Sequence, residues 1–268
     1  MGTLDLIISY SKEDLGWLDR YKDVKFNKVY LYNKGPNKLP ETKIPYIEIK
    51  LENIGRCDHT YLYHIISKYD ELADNNIFTT GSVDLAHKSK KLDYILKKTL
   101  QTNNSVFEGS YYFNVRDSVY DFQMSHYEST YERNNTKENM AVSKIRPFGK
   151  WYDSHFKGIN IHLINWSGIF SISRKHIQQH TKEYYKNLID DFPNNSNPEV
   201  GHYFERAWLA VFNPIPNECI YYEYSLYPWN YVFLGIIILL LIVFILQYIE
   251  PIRIMAKKIL SKGILQTK

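Results

Sequence analysis

"NIGRCDHTYLYHIISKYDELADNNIFTTGS", Asn53 to Ser82, holds a turn, a helix and a strand in that order. Its first residues, Asn53-Ile54-Gly55-Arg56, are polar and turn-forming. Asp58 or Thr60 starts a helix that runs to about Tyr69, because Leu62, Ile65, Ile66 and Tyr69 recur on one helical face. Asn76 to Thr80 (NIFTT) reads as a strand ending at Gly81-Ser82.

Upstream, Leu4 to Tyr10 (LDLIISY) is a short apolar run and predicts a buried strand. SKEDLGWLDRY predicts a helix with Ser11 as its cap and Leu15 and Leu18 on one face. Lys28 to Tyr32 (KVYLY) predicts a second strand, closed by the turn stretch NKGPNKLP. Pro45 to Lys50 alternates as a third. Strand–helix–strand–strand–helix–strand through Thr80 gives the α/β class: a single mainly parallel twisted sheet flanked by helices.

Beyond Ser82 comes an amphipathic stretch at 84–100 and an aromatic-rich irregular region at 105–160, with SYYFNVRD and FGKWYDSHF. Trp166 to Ile172 predicts a strand, Ser173 to Leu188 a helix, DDFPNNSNP a loop, and Val200 to Phe212 a helix. NPIPNE opens a linker. The organisation expected is therefore an α/β domain over 1–212, a linker over 213–230, a transmembrane helix over 231–249 and a basic tail over 250–268.

The span reads YVFLGIIILLLIVFILQYI, which is uncharged and long enough to cross a bilayer. Tyr227, Trp229, Tyr231 and Tyr248 flank it as interfacial anchors would. Arg253, Lys257, Lys258 and Lys262 follow it, while Glu218 and Glu223 precede it. The positive-inside rule puts that tail in the cytosol and the main domain across the membrane. The opening LDLIISYSKED is too short and too acidic for a secretory leader, which favours a cytosol-facing domain. A single-pass membrane protein with its main domain facing the cytosol is the expectation, with the lipid bilayer as a partner. Sequons at 103–105, 134–136, 165–167 and 194–196 match by composition and do not choose a side.

The chain has 268 residues, 44% of them hydrophobic and 16% aromatic, enough for a real core and against disorder. A net charge of +4, spread along the chain, leaves no nucleic-acid footprint. Cys57 and Cys219 lack zinc-ligand spacing and read as reduced thiols. The histidines show no metal-binding spacing, so no metal ligand is assigned. G-x-G-x-x-G, P-loop and G-x-S-x-G patterns are all missing from the sequence.

In open α/β sheets, ligands bind at the carboxyl ends of the strands. Three polar clusters sit at such ends: Ser9 to Glu13, including Tyr10; Asn53 to Arg56; and Thr79 to Ser82. Gly55 lets the backbone turn or approach a ligand. Arg56 offers a fork of donors suited to a diphosphate or carboxylate. Asp58 is placed to cap the helix, whose N-terminus favours an anion. In HYFERAWLAVF, Glu205 stands on an amphipathic helix after a loop, where a general base at a cleft is one reading and a solvated ion pair another.

IISYSKEDLGWL, NIGRCDHTYLYHIISKYDEL, NIFTTGS, GIFSISRKHIQQHTKEYYKNL and HYFERAWLAVF occur in that order. Together they resemble an uncharacterised domain family of fungi, bacteria and large viruses that is similar to GT-A-type glycosyltransferases. The resemblance covers about 4–212. It implies transfer of a sugar from a nucleotide-sugar donor to a glycan or protein acceptor. It puts Tyr10, Glu13, Asn53, Gly55 and Arg56 on the donor side, Gly81 and Ser82 at the central turn, and Glu205 as the base. It also implies Mn²⁺ or Mg²⁺ held by an Asp-x-Asp, but this sequence has no Asp-x-Asp and carries Thr79-Thr80-Gly81-Ser82 there. The alternative is a non-catalytic membrane or virion protein whose degenerate transferase fold binds glycan or protein.

Overall fold

All seven residues of β1 (Leu4–Tyr10) are buried, because helices cover both faces of the sheet it centres. In this computed structural model the described residues are 2–36, 39, 41–111, 119–128, 137–160, 163–222 and 229–264. The sequon at 134–136, most of SYYFNVRD and Tyr227 lie outside them. The chain divides into two compact units, Met1–Glu223 and Tyr224–Lys268.

In the first unit, β1 lies between β2 (Lys28–Asn33) and β4 (Asn75–Thr80) in a five-stranded sheet. The order is β3-β2-β1-β4-β9, with β3 at Ile47–Lys50 and β9 at Phe170–Ser173. The first four are parallel and β9 runs antiparallel to β4. This is the predicted α/β class, with a mostly parallel central sheet flanked by helices.

Strand alternation sends side chains to two different cores. On one face Ile7, Tyr30, Tyr32, Phe78 and Phe170 meet α1 (Arg56–Lys68), α5 (Lys182–Ile189) and α6 (Glu199–Val211). On the other face Leu6, Ile8, Val29, Leu31 and Ile77 meet α2 (Ala86–Thr102) and a 3-10 helix at Gly16–Tyr21. Tyr61, Phe170, Trp208 and Phe212 interlock at ring-centroid distances of 5.1–5.9 Å. Burying each large apolar side chain contributes roughly 1.5–3 kcal/mol, so this aromatic layer is the main source of cohesion on its face.

Several local expectations are corrected. The helix expected from Ser11 is the shorter 3-10 turn Gly16–Tyr21, and Ser11 does not cap it: its N–H is tied to Glu13 Oε2 at 2.7 Å. The third strand begins at Ile47 rather than Pro45 and is an exposed sheet edge. The region 105–160 is not irregular throughout. It holds β5 (Phe107–Tyr111), β6 (His126–Glu128), β7 (Lys137–Asn139) and α3 (Phe148–His155).

Trp166–Gly168 is a 3-10 turn, and the strand begins only at Phe170, because Ser167 and Gly168 both take positive φ. The single helix expected over Ser173–Leu188 is two, α4 (Arg174–Ile177) and α5. Ser173 accepts a hydrogen bond from His176 N and Thr181 one from Tyr184 N, so a second cap restarts the helix.

The linker expected from 213 also starts later. Cys219 is buried, and β10 (Ile220–Tyr222) pairs parallel with β5 in a second sheet completed by β8 (Leu163–Ile164). Backbone pairing thus keeps this stretch in the first unit. In the second unit, α7 (Trp229–Ile264) is one helix that runs through Pro251, so the basic stretch after 249 is helical as far as Ile264. Its segment Phe233–Lys258 is long and apolar enough to cross a membrane, and none of it is buried.

Candidate functional site

The chain leaves β1 toward β2 on one side, and β4 returns on the other. The carboxyl ends of β1 and β4 therefore form the topological switch point of the sheet, where the connections run to opposite sides. After β1, Glu13 folds back so that Oε2 accepts from Ser11 N at 2.7 Å and Lys12 N at 2.9 Å. A Cβ on Gly81 would lie 2.9 Å from Glu13 Oε2, so the two loops touch only because position 81 is glycine. Gly81 N donates to Ser9 O at 2.7 Å, and Trp17 Nε1 donates to Gly81 O at 2.7 Å, which pins the turn. Ser82 is buried, and its Oγ accepts from Lys88 Nζ at 2.6 Å.

After β3, Gly55 and Arg56 take positive φ in succession, +65° and +54°. A Cβ on Gly55 would sit 2.4 Å from Phe192 Cδ1 and 2.5 Å from His59 Cβ. Lys34 is buried beneath this turn and donates to Ile54 O and Arg56 O. Burial pushes the Lys34 ammonium down to about 8, against the pull of Asp58.

Arg56 Nη1 donates to Asn197 Oδ1 at 3.1 Å and lies 3.3 Å from His202 Nε2. Since guanidinium has no acceptor, His202 Nε2 accepts and the imidazole is neutral. That fits the fall of His202 to about 2, caused by burial and then by Arg56 and Arg206.

Asp58 corrects an expectation: it is not the cap. Gly55 is the N-cap residue, and Asp58 points inward, 2% exposed. Its Oδ1 accepts from Trp208 Nε1 at 2.8 Å, and Cys57 Sγ lies 3.6 Å from Oδ2. Burial raises the Asp58 carboxyl to about 7, and the Glu205 charge adds to the rise. Glu205 Oε1 in turn accepts from Ser167 N at 2.6 Å. This bond holds the left-handed Ser167-Gly168 turn over Cys57 and Tyr61, whose atoms lie 3.6 Å from a Cβ built on Gly168. Burial lowers the Lys88 pKa, the Arg56 charge adds to the fall, and the Glu205 and Glu13 charges oppose it.

The structure thus gathers Arg56, Glu205 and, through Lys88, Ser82 and Glu13, with Gly55 and Gly81 as the turns that permit it. Tyr10 is buried on the α2 face of the sheet, within electrostatic reach of Glu13. Asn53 is exposed and shares no hydrogen bond with the cluster. Lys34, Lys88, His202, Asn197 and Ser167 are not marked as site residues by the sequence. Lys88 sits in an amphipathic stretch where it reads as a solvated charge, and no local signal ties it to Ser82. Among the described residues, no group of three or more His, Cys, Asp or Glu side chains converges to hold a metal ion. At the end of β4 the Ser82 hydroxyl already receives an ammonium, so the residues present do not fit the Mn²⁺ or Mg²⁺ that the resemblance implies. A cavity of about 170 Å³ is lined by Tyr152, Leu163, Arg206 and Leu209 among others.

No curated protein matches the chain. Among solved structures, it is similar to CMP:2-keto-3-deoxy-manno-octonic acid synthetase complexed with CTP. That similarity has 13% identity, covers 82% of this chain and 89% of that one, and has a TM-score of 0.38. Residues 6–226 match the profile of a family described as "Protein of unknown function (DUF3431)". With that match running from within β1 to beyond β10, the chain belongs to the DUF3431 family.

Proposed function

We propose that this protein is a membrane-anchored glycosyltransferase that moves a sugar from a nucleotide-sugar donor to an acceptor hydroxyl on a glycan or protein. The observation that supports this reading most is that Lys88, hydrogen-bonded to Ser82 at the end of β4, lies within electrostatic reach of both Arg56 and Glu205. A donor needs positive charge at its diphosphate and a base at its anomeric carbon, and this arrangement offers both. Gly55, Gly81, Ser82 and Glu13 shape the donor side.

In the reaction, the acceptor oxygen forms a bond to the anomeric carbon as the bond from that carbon to the diphosphate oxygen breaks. Glu205 takes the acceptor proton, and the nucleoside diphosphate leaves with the electron pair. Ser167 N–H holds Oε1 and orients the carboxylate, which leaves Oε2 to take the proton. The second unit anchors the protein through α7. Both cysteines are free thiols, which suits a domain facing the reducing cytosol.

The test is turnover by the full chain in detergent micelles with a panel of UDP-, GDP- and CMP-sugars. The expected result is sugar transfer or donor hydrolysis that Glu205→Gln abolishes without lowering the melting temperature. No turnover together with no thermal shift by any nucleotide overturns the proposal. Full activity in Glu205→Gln removes Glu205 as the base. Protease protection in sealed vesicles checks which side the domain faces.

A further inference from the structure

Independently of the transferase reading, we infer that the cavity between α3, α6, β8 and β10 binds a neutral, ring-sized polyhydroxylated ligand of the monosaccharide class. Tyr152 of α3, Leu163 of β8, Leu209 of α6 and Ile220 of β10 line it, so four elements far apart in sequence meet there without filling the space. Its volume is about 170 Å³. A cavity of about 150 Å³ takes up a benzene ring, so there is room here for one six-membered ring. Tyr152 and Leu163 are buried, whereas Asn160 and Asn217, which also line the cavity, are exposed. The cavity therefore reaches from the core to solvent, and a ligand can enter it.

The polar groups decide the class of ligand. Tyr152 is fully buried, and its hydroxyl has no hydrogen-bond partner among the described residues. Its ring packs on Phe148 and Phe156 at centroid distances of 5.5 and 5.2 Å, which fixes where the hydroxyl sits. Buried hydroxyls in folded proteins are nearly always paired, so an unpaired one on a cavity wall calls for a ligand's polar atom. Burial also pushes this phenol well above its ordinary range, so it stays protonated and able to donate. The carboxamides of Asn160, Asn213 and Asn217 make no hydrogen bond to other described residues. Each offers two donors and an acceptor, which suits the adjacent hydroxyls of a sugar. Leu163 and Leu209 supply apolar surface for the C–H face of the ring.

Charge is not offered. Among the described residues no carboxylate lines the cavity, which leaves nothing to hold a cation. Arg206 also lines it, but its guanidinium is engaged within the fold. Nη1 donates to His202 O at 2.8 Å, and Cζ stands 3.5 Å from the Phe122 ring centroid and 5.0 Å from that of Trp166. A neutral ligand is the one this lining matches.

The experiment is saturation-transfer NMR on the full chain in micelles of a sugar-free detergent, with no nucleotide present. The probes are glucose, galactose, mannose, N-acetylglucosamine and myo-inositol, with gluconate and benzene as charged and apolar controls. We expect at least one neutral polyhydroxylated probe to bind more tightly than either control. Tyr152→Phe should weaken that binding ~3- to 10-fold, the loss of one hydrogen bond. It should leave the melting temperature of the ligand-free chain unchanged or higher, because the hydroxyl it removes has no partner there. Leu209→Trp, which fills the cavity, should abolish binding, and its melting curve confirms that it is folded. No binding of any neutral probe overturns the inference. Tighter binding of gluconate or benzene overturns the class of ligand. Unchanged affinity in Tyr152→Phe overturns the role of its hydroxyl, and unchanged binding in a folded Leu209→Trp chain overturns the site.

Discussion

Trp208 Nε1 donates a 2.8 Å hydrogen bond to Asp58 Oδ1 across 150 positions of sequence, joining α6 to α1 inside the core. The carboxyl it holds is almost fully buried and lies close enough to Glu205 to be raised by its charge. Gly201 lies at this approach: a Cβ there would sit 3.2 Å from Arg56 Cδ, a tight contact, and 3.5 Å from Asp58 Oδ2. The helix pairing that builds the core therefore also sets the charge state of the site.

Asp58 makes stability fall as pH rises. Its carboxyl goes from the ordinary 3.8 to about 7 on folding. Between those values the folded chain holds a proton that the unfolded chain has lost. This contribution is full below about pH 4, declines as pH rises, and is gone above about 7. It amounts to at most roughly 4 kcal/mol. Asp58→Asn keeps an acceptor for Trp208 and cannot ionise. Melts from pH 4.5 to 8 should show the wild type losing stability relative to the variant as pH rises. Parallel curves would mean that folding does not hold this carboxyl protonated.

The Gly55 turn carries two separate costs for a side chain. At Gly158, with φ +83° and nothing within 4 Å of a Cβ, alanine meets only the backbone penalty of roughly 1–2 kcal/mol. At Gly55 it meets that penalty plus contacts of 2.4 and 2.5 Å with Phe192 and His59. Chemical denaturation should therefore find Gly55→Ala clearly less stable than Gly158→Ala. Equal losses would mean that Phe192 and His59 do not close on the turn.

Glu199 is fully buried at the start of α6 and gathers three donors. Oε1 accepts from Met124 N at 2.7 Å, while Oε2 accepts from Ser143 N at 2.8 Å and pairs with Arg146 Nε at 2.9 Å. Glu199→Ala leaves these donors unsatisfied and should cost ~3–5 kcal/mol, the loss typical of one partner of a buried pair. Equilibrium unfolding reads the cost directly. A loss below about 1 kcal/mol would show that water replaces the carboxylate easily.

The apolar stretch Phe233–Lys258 is long enough to cross a bilayer, and its described residues are exposed. Expressed full-length chain should sediment with membranes and resist alkaline carbonate extraction. A chain ended at Glu223, which keeps the first compact unit whole, should stay in the supernatant. Extraction of the full chain by carbonate would rule out a bilayer-spanning helix.

Elements governed by neighbours in sequence are legible from the residues alone. β1, β2, β4, α1, α2 and α6 follow from apolar runs or helical periodicity, because a strand buried on both faces reads as a continuous apolar stretch and a helix turns one apolar side to a core. The apolar helix is legible for the same local reason. The differences fall where a partner far along the chain decides. Ser167 is turned left-handed in a stretch that reads as a strand, and Glu205 holds it there. Residues 220–222 look like a linker until β5 offers them backbone partners. Asp58 has the composition of a helix cap, and its role changes because Trp208 arrives from α6. For the candidate site, the turn glycines, Arg56 and Glu205 stand out by residue type and position at element ends. Lys88, Lys34 and His202 do not, because a charge in an amphipathic helix looks the same whether it faces water or a crevice. Local periodicity carries no information about which distant surface closes over a side chain, and that closure alone sets burial, protonation and proximity.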